Sequence, residues 1–377
     1  MRLAGGLAAA VAALLAGGCV DKGGRGTPVE TPELGLGEEW VAPTEAKATA
    51  DTTEMLQKFV KQHFRKTGHA HRDAHVKPHG CAKAFVQVAQ DLPPNLALGV
   101  FSQPVEYKAW IRWSNSSDAV KRDRKADGRG MAIKLMNVPG EKAEPGGEDG
   151  TSHDFILINY PVFVVRDPVS YVEFTKDSVA GHPLRFFFQG GGSRLPQLSS
   201  AGHLATQKVV SPLSPIYYSM TPYQLGDGQA VKYGARPCTA DPRTRRKYGY
   251  NYLRKQMVED LEADQCFELM VQVQTDPQKM PIEDPTVMWS VKQSPYVPVA
   301  RITIPAQDFH NPDQRELCEF LSFNPWHARV ENRPLGGINR VRRDVYPAIS
   351  ALRHQLDGVK AVEPTDHDVE AYLQAIR

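Results

Sequence analysis

The chain has 377 residues, of which 41% are hydrophobic and 23% are charged, and its formal net charge is +2. This length and composition predict a globular protein with a sizeable core, in one large domain or two smaller ones. The balance of charges argues against a nucleic-acid partner, because such proteins concentrate basic residues on one face. The single basic run, residues 121–129, carries aspartates of its own and is typical of a solvated loop.

The N-terminus has the features of an export signal. Arg2 precedes an apolar run at residues 7–16, which is too short to span a bilayer as a helix. The sequence AGGC that ends at Cys19 resembles a bacterial lipoprotein cleavage box, and the residues after it are rich in Gly, Pro, Glu and Thr. We therefore expect a signal peptide at 1–18, a lipid-anchored flexible tether at 19–48 and a folded domain at 49–377. The protein would be a periplasm-facing lipoprotein, with secretion without an anchor as the alternative.

The other four cysteines leave their pairing open. Cys81, Cys238, Cys266 and Cys318 are even in number but widely spaced, and no C-x-x-C pair indicates zinc or redox exchange. An oxidising compartment permits disulfides. Buried free thiols are equally compatible with the sequence.

Hydrophobic periodicity predicts an α+β fold. Residues 53–64 have one apolar helical stripe, residues 84–305 contain many runs with period two, and helical spacing returns from Ile338. Strands in this number, without helices between them, favour an antiparallel β-barrel with flanking helices.

Two segments carry charged side chains in arrangements typical of a site. On the strand at 109–116, Arg112 and Ser114 share one side. We expect this arginine to lie in the barrel interior and to need an anion there, because an unpaired buried charge is costly. Near the C-terminus, Arg342 and Tyr346 share a helical face. The arginine should lower the pKa of the phenol from about 10 by roughly 1 to 3 units, which favours a phenolate that binds a hard metal ion.

The sequence HAHRDAHVKPHG at residues 69–80 has two interpretations. His69, His71, His75 and His79 would together form a zinc or copper site, or one of them would act alone in acid–base chemistry. Against the metal site, no acidic or cysteine ligand accompanies the histidines in the sequence, and the charge of Arg72 would repel a cation.

Six segments, taken in chain order, resemble those of the haem catalases. They are R-x-x-H-x-K-x-x-G at 72–80, IRWSNS at 111–116, DGRGMAIK at 127–134, PVFVVRD at 161–167, FNPWH at 323–327 and R-x-x-x-Y at 342–346. The resemblance runs from about residue 50 to residue 360, and the chain is shorter than typical catalases, as in the small catalase-related enzymes. It implies the haem-catalase type of barrel, haem b as cofactor and hydrogen peroxide as substrate.

The resemblance also implies roles for the residues on the two faces of the haem. Tyr346 would be the axial ligand of the iron, and Arg342 would keep its phenol deprotonated. Arg72 and Arg112, with Arg342 nearby, would pair with the haem propionates. His75 would act as acid and base in cleaving the peroxide O–O bond.

The remaining two residues of the implied peroxide pocket are Ser114 and Asn159. Ser114 would hydrogen-bond the other nitrogen of the His75 imidazole and fix its tautomer. Catalases place an asparagine three residues before the proline of the P-V-F run, where this chain has Ile158, and Asn159 follows one step later. Neighbours on a strand face opposite sides. Either a bulge turns Asn159 inward, or the pocket lacks the amide.

The implied function is decomposition of hydrogen peroxide, and two enzymatic alternatives share the fold. They are peroxidase turnover with an organic reductant and conversion of lipid hydroperoxides. An alternative of another class is a periplasmic lipoprotein that binds haem or metal without turnover. The sequence does not fix the oligomeric state or a nicotinamide cofactor, and the fold alone does not select among the activities.

Overall fold

The structure is a computed structural model that describes residues 32–144, 151–189, 194–243 and 248–377. The expected signal peptide, Cys19 and the first part of the tether lie outside the described residues. Within the described ranges, no helix is both long enough and apolar enough to cross a membrane.

The centre of the fold is a closed antiparallel β-barrel of eight strands, as the periodicity predicted. The strands are β1 (Pro78–Val88), β2 (Glu106–Asn115), β3 (Arg129–Leu135), β4 (His153–Ile158), β5 (Tyr217–Tyr218), β6 (Tyr223–Gln224), β7 (Ala230–Pro237), β8 (Gln265–Val273) and β9 (Val297–Ile304). They pair in the order β5-β4-β3-β2-β1-β9-β8-β7, and a β5–β7 pairing closes the ring. The short strand β6 pairs with β7 outside the ring.

The barrel interior is apolar, and the site residues lie on its outer face. Ile111 and Trp113 belong to the main hydrophobic core, together with the inward side chains of the other strands. Arg112 and Ser114 alternate with them and therefore point outward. The expected position of Arg112 in the interior is thus wrong. Arg112 is only 4% exposed because other parts of the chain cover the outer face at that point.

Helices flank the barrel. In chain order they are α1 (Glu45–Thr67), α2 (Pro168–Val179), α3 (Arg185–Phe188), α4 (Leu195–Thr206), α5 (Tyr252–Asp260), α6 (Pro312–Phe320), α7 (Gly337–Asp357) and α8 (Val369–Ile376), with 3-10 turns at Gly99–Phe101 and Val330–Asn332. Leu56 and Val60 of α1 pack against Val341, Val345 and Ile349 of α7. This contact fixes the helix that carries Arg342 and Tyr346.

Part of the expected tether belongs to the folded domain. The first helix begins at Glu45, and Arg340 of α7 binds the carboxylates of Glu39, Glu45 and Glu283. Residues 39–48 therefore contact the domain, although the sequence predicted a flexible segment up to residue 48. The prediction failed because ion pairs, which leave no apolar periodicity, hold this segment in place.

Two disulfides answer the question of the cysteines. Cys81 is joined to Cys318 and Cys238 to Cys266, with Cα–Cα distances of 5.4 and 5.6 Å, inside the usual range for a disulfide. The first bond ties β1 to α6 and so holds the helix against the barrel.

A buried charge cluster fastens the segment 323–327 to the barrel. Lys134 Nζ lies 2.9 Å from Asp154 Oδ2, both side chains are 0% exposed, and Glu363 also contacts the ammonium group. The same Asp154 oxygen accepts a hydrogen bond from the backbone N–H of Asn324.

We expect Lys134→Met to lower the free energy of unfolding by about 3–5 kcal/mol, because it leaves two carboxylates buried without their cation. Urea unfolding at pH 7 measures this. Lys47→Met is the matched control, since its ion pair with Asp51 is exposed and should contribute under about 1 kcal/mol. Similar losses in the two variants would show that the buried cluster does not stabilise the fold.

Candidate functional site

His75 lies just before β1 with its ring against the outer face of the barrel. Its backbone is in the left-handed region, with φ of 57°. Its Nδ1 is 3.0 Å from Ser114 Oγ, so the contact implied by the resemblance is present. A Cβ on Gly130 would lie 2.5 Å from the same nitrogen. Only glycine at residue 130 lets the imidazole approach the sheet this closely.

The surroundings of His75 disfavour its protonated form. Burial first, and then the positive charges of Arg112, Arg342 and Arg72, lower the pKa of the imidazole to about 3. The ring is therefore neutral near pH 7, with one nitrogen in contact with Ser114.

Asn159 does not supply an amide beside His75. Its Oδ1 accepts a hydrogen bond from the Arg129 N–H at 2.6 Å, and its Nδ2 donates to Gln207 at 2.8 Å. Strand β4 pairs with β3 without a register shift, and Ile158 is paired with Gly130. Ile158 therefore shares the outer face with Gly130, next to His75. The alternative in which a bulge turns Asn159 inward is wrong.

Three arginines, Arg72, Arg112 and Arg353, gather around Glu319. Arg112 Nη2 donates to the His75 carbonyl at 2.8 Å, but its Nε is buried and makes no hydrogen bond among the described residues. Burial first, and then the charges of Arg72 and Arg353, lower the pKa of Arg112. Glu319 accepts from Arg72 and Arg353 at 3.3 and 3.2 Å. Glu319 and Asp357 offset only part of the charge of these three guanidinium groups, which leaves capacity for a further anion.

Arg353 was missed by the sequence reasoning. It lies seven residues after Tyr346 on α7, which places it two turns further along the same side of the helix. The spacing 342, 346, 353 was a readable signal, but the catalase-like motif used for the interpretation ended at Tyr346.

Tyr346 has a higher pKa than the sequence predicted. Burial raises it, the charge of Arg342 lowers it, and the carboxyl of Asp73 raises it again. The predicted direction was wrong, because exclusion of solvent outweighs the arginine. Arg342 itself donates to two neutral groups, Thr221 Oγ1 and Asn339 Oδ1, each at 3.2 Å.

The donors present fit a haem group. Arg342 acts on the pKa values of both His75 and Tyr346, so these two side chains lie within reach of one charge. The orphaned Nε of Arg112 is a donor of the kind that a propionate satisfies. The phenol of Tyr346 makes no hydrogen bond among the described residues and is an established type of iron ligand in haem proteins.

The four histidines of residues 69–80 do not form one metal site. His75 contacts Ser114, and His79 is 1% exposed with its Nε2 2.9 Å from Asn115 Oδ1. Only His69 and His71 have adjacent rings, with centroids 4.8 Å apart.

Comparison with known proteins identifies the fold. No protein-family model and no curated protein sequence matches the chain. Solved structures do match. A fungal catalase is 16% identical with a TM-score of 0.60, over 87% of this chain and 66% of the catalase. Catalase A from Saccharomyces cerevisiae is 16% identical with a TM-score of 0.61, over 88% and 69%. A bacterial catalase is 16% identical with a TM-score of 0.56, over 81% and 62%.

The chain therefore has the fold of the catalases. It spans about two thirds of the length of these three proteins. The antiparallel barrel with flanking helices, predicted from the sequence, is confirmed.

Proposed function

We propose that this protein is a haem-dependent oxidoreductase that consumes hydrogen peroxide, of the small catalase-related kind. The observation that carries the proposal is the contact of His75 with Ser114 on a catalase fold, and the charge of Arg342, which acts on both His75 and Tyr346, supports it.

Tyr346 would supply the oxygen ligand to the haem iron. Arg72, Arg112 and Arg353 would donate to the two propionates, in place of their present contacts with Glu319 and backbone carbonyls. Bound haem would supply an iron centre able to exchange electrons with peroxide. The positive charge of Arg342 would lower the pKa of Tyr346 and so favour the phenolate.

His75 would move the proton. With Nδ1 held by Ser114, the other imidazole nitrogen is left to take a proton from one peroxide oxygen and return it to the other. The low pKa keeps the base form populated, because burial and three arginines oppose protonation.

Ile158 is the reason that we propose peroxidase turnover, with an organic reductant, in addition to catalatic turnover. An aliphatic side chain stands where a catalase has an amide that helps to hold peroxide. A second peroxide would therefore be held less well as reductant, which leaves more of the turnover to an organic reductant. Conversion of lipid hydroperoxides stays an alternative within the same fold.

Export and lipid anchoring at Cys19 are part of the proposal. The two disulfides support an extracytoplasmic location, because such bonds persist in oxidising compartments and are rare in the cytosol.

The test is a spectrum of the purified protein with haem b, followed by parallel measurements of oxygen release and of oxidation of a chromogenic reductant. We expect a Soret band that changes on addition of peroxide, and turnover in at least one assay. Ile158→Asn should raise oxygen release relative to reductant oxidation, and Val169→Asn, an exposed apolar position on α2, is its control. Absence of stoichiometric haem binding would overturn the proposal.

A further inference from the structure

Two histidines and a glutamate come together beside the end of α1. One ligand atom from each of His69, His71 and Glu319 can be chosen so that all three lie within 4.8 Å of one another. Among the described residues, this is the one such group. We propose that it binds a divalent transition-metal ion of the zinc class. Its three ligands are not among the residues proposed to hold haem, although Arg72 and Arg353, which contact Glu319, are.

The distances suit a small ion. His69 Nε2 lies 3.4 Å from Glu319 Oε1, about the edge of a tetrahedron whose corners are roughly 2.0–2.1 Å from its centre. The three ligand atoms lie within 4.8 Å of one another, so the group has to contract somewhat to hold the ion, and His71 is placed to do so. It is half-buried and sits in a loop, so rotation of its side chain can provide this movement. Two imidazoles and a carboxylate are a ligand set that zinc uses.

A second carboxylate lies beside the first histidine and would orient it in the metal-bound form. Asp357 Oδ2 lies 3.2 Å from His69 Nδ1, and the Asp357 side chain is only 7% exposed. This oxygen makes no hydrogen bond among the described residues, although Oδ1 accepts from the Ala70 N–H. A carboxylate on the far nitrogen is the usual outer partner of a metal-bound histidine. It would fix the tautomer in which Nε2 faces the ion.

The position of Glu319 is fixed independently of any metal. The preceding residue, Cys318, is joined to Cys81 of β1, so a covalent bond holds the last turn of α6 against the barrel. Glu319 and Asp357 lie at the C-terminal ends of α6 and α7, and the histidines follow the C-terminal end of α1. Three helix C-termini place partial negative charge near the site, which favours a cation.

Two arginines limit the affinity without blocking the site. Arg72 and Arg353 contact Glu319 Oε1, but both also donate to backbone carbonyls. The contacts of the Glu319 carboxylate with His69, Arg72 and Arg353 all use Oε1. With Asp357 counted, two carboxylates offset only part of the positive charge of Arg72, Arg353 and Arg112, which all act on Glu319. We therefore expect moderate affinity for Zn²⁺.

Calorimetric titration of the purified full-length protein with Zn²⁺ tests the proposal. We expect one equivalent to bind. His71→Ala and Glu319→Gln should each weaken binding by at least about tenfold, which corresponds to 1.4 kcal/mol. Asp357→Asn should weaken it by about 10-fold to 100-fold, as for other outer partners of metal-bound histidines. His182→Ala, which removes an exposed histidine elsewhere, should leave the affinity unchanged.

Three results would overturn the metal site. They are no saturable Zn²⁺ binding by the wild type, unchanged affinity in His71→Ala, or equal losses in His71→Ala and His182→Ala. His71→Ala leaves the ion pairs of Glu319 intact, so misfolding does not explain a loss in that variant. Tyr346→Phe separates this proposal from the haem proposal, since Zn²⁺ should still bind there. Loss of Zn²⁺ binding in Tyr346→Phe would contradict a separate site.

Discussion

Tyr346→Phe should leave the protein folded but unable to hold haem. The variant removes one oxygen and keeps the ring that packs in α7. Tyr346 is the one tyrosine that we propose as the iron ligand, so its loss leaves the iron without a phenol ligand. We therefore expect haem affinity to fall at least about a hundredfold, or roughly 2.7 kcal/mol. Titration with haem, followed by the Soret absorbance, measures the loss. Circular dichroism checks that the helices and barrel are intact.

The matched control is Tyr171→Phe. Tyr171 lies close enough for its charge and that of Tyr346 to affect each other, and burial raises its pKa as well. Loss of its hydroxyl should leave haem affinity within about threefold of the wild type, since this phenol is not a proposed ligand. Equal losses in the two variants would assign the effect to packing. Full retention of haem by Tyr346→Phe would mean that another residue is the ligand.

This prediction depends on how the phenol is deprotonated. Burial raises the pKa of Tyr346, and Arg342 opposes that rise only in part. A bound cation inverts such a balance, because it stabilises the anion directly. The phenolate should therefore form together with iron binding. Helical spacing correctly placed Arg342 and Tyr346 on one face but could not reveal that solvent exclusion outweighs the arginine.

The alternation of residues along β2 correctly predicted which side chains share a face of the strand, but it assigned Arg112 to the wrong face of the barrel. It correctly put Arg112 and Ser114 on one side and Ile111 with Trp113 on the other. It could not say which side lines the barrel, because both sides are buried when helices cover the outer face. Exposure decides this only in barrels whose outer face is solvated.

Contacts between distant parts of the chain had no signal in the sequence. Glu39 forms an ion pair with Arg340, which is about 300 residues later in the sequence. Glu319 contacts His69, which is 250 residues earlier. The sequence argument against a metal site relied on the absence of a nearby acidic ligand. That argument considered only neighbours along the chain, whereas α6 brings the carboxylate across the fold.

His75→Gln should keep haem bound while slowing the reaction with peroxide by about 100-fold or more, the usual effect of losing a general acid–base group. Glutamine keeps a polar side chain near Ser114 but cannot carry a proton between the two peroxide oxygens. Stopped-flow absorbance at the Soret band measures the rate. His79→Gln is the control, because the His79 ring is also hydrogen-bonded but its partner is Asn115. Its rate should stay near that of the wild type.

The pH dependence of the wild type gives a second test of the same residue. The pKa of His75 is lowered from 6.5 to about 3, so the neutral imidazole persists as the pH falls. The rate should stay flat from about pH 8 down to about pH 4 and decline only as the pH approaches 3, where the base is protonated. Between pH 6.5 and about 3 the unfolded chain binds a proton at this histidine that the folded chain does not. The free energy of unfolding should therefore decrease as the pH is lowered through that range. A rate that halves near pH 6.5 would mean that His75 is solvated, and a normal rate in His75→Gln would assign proton transfer to another group.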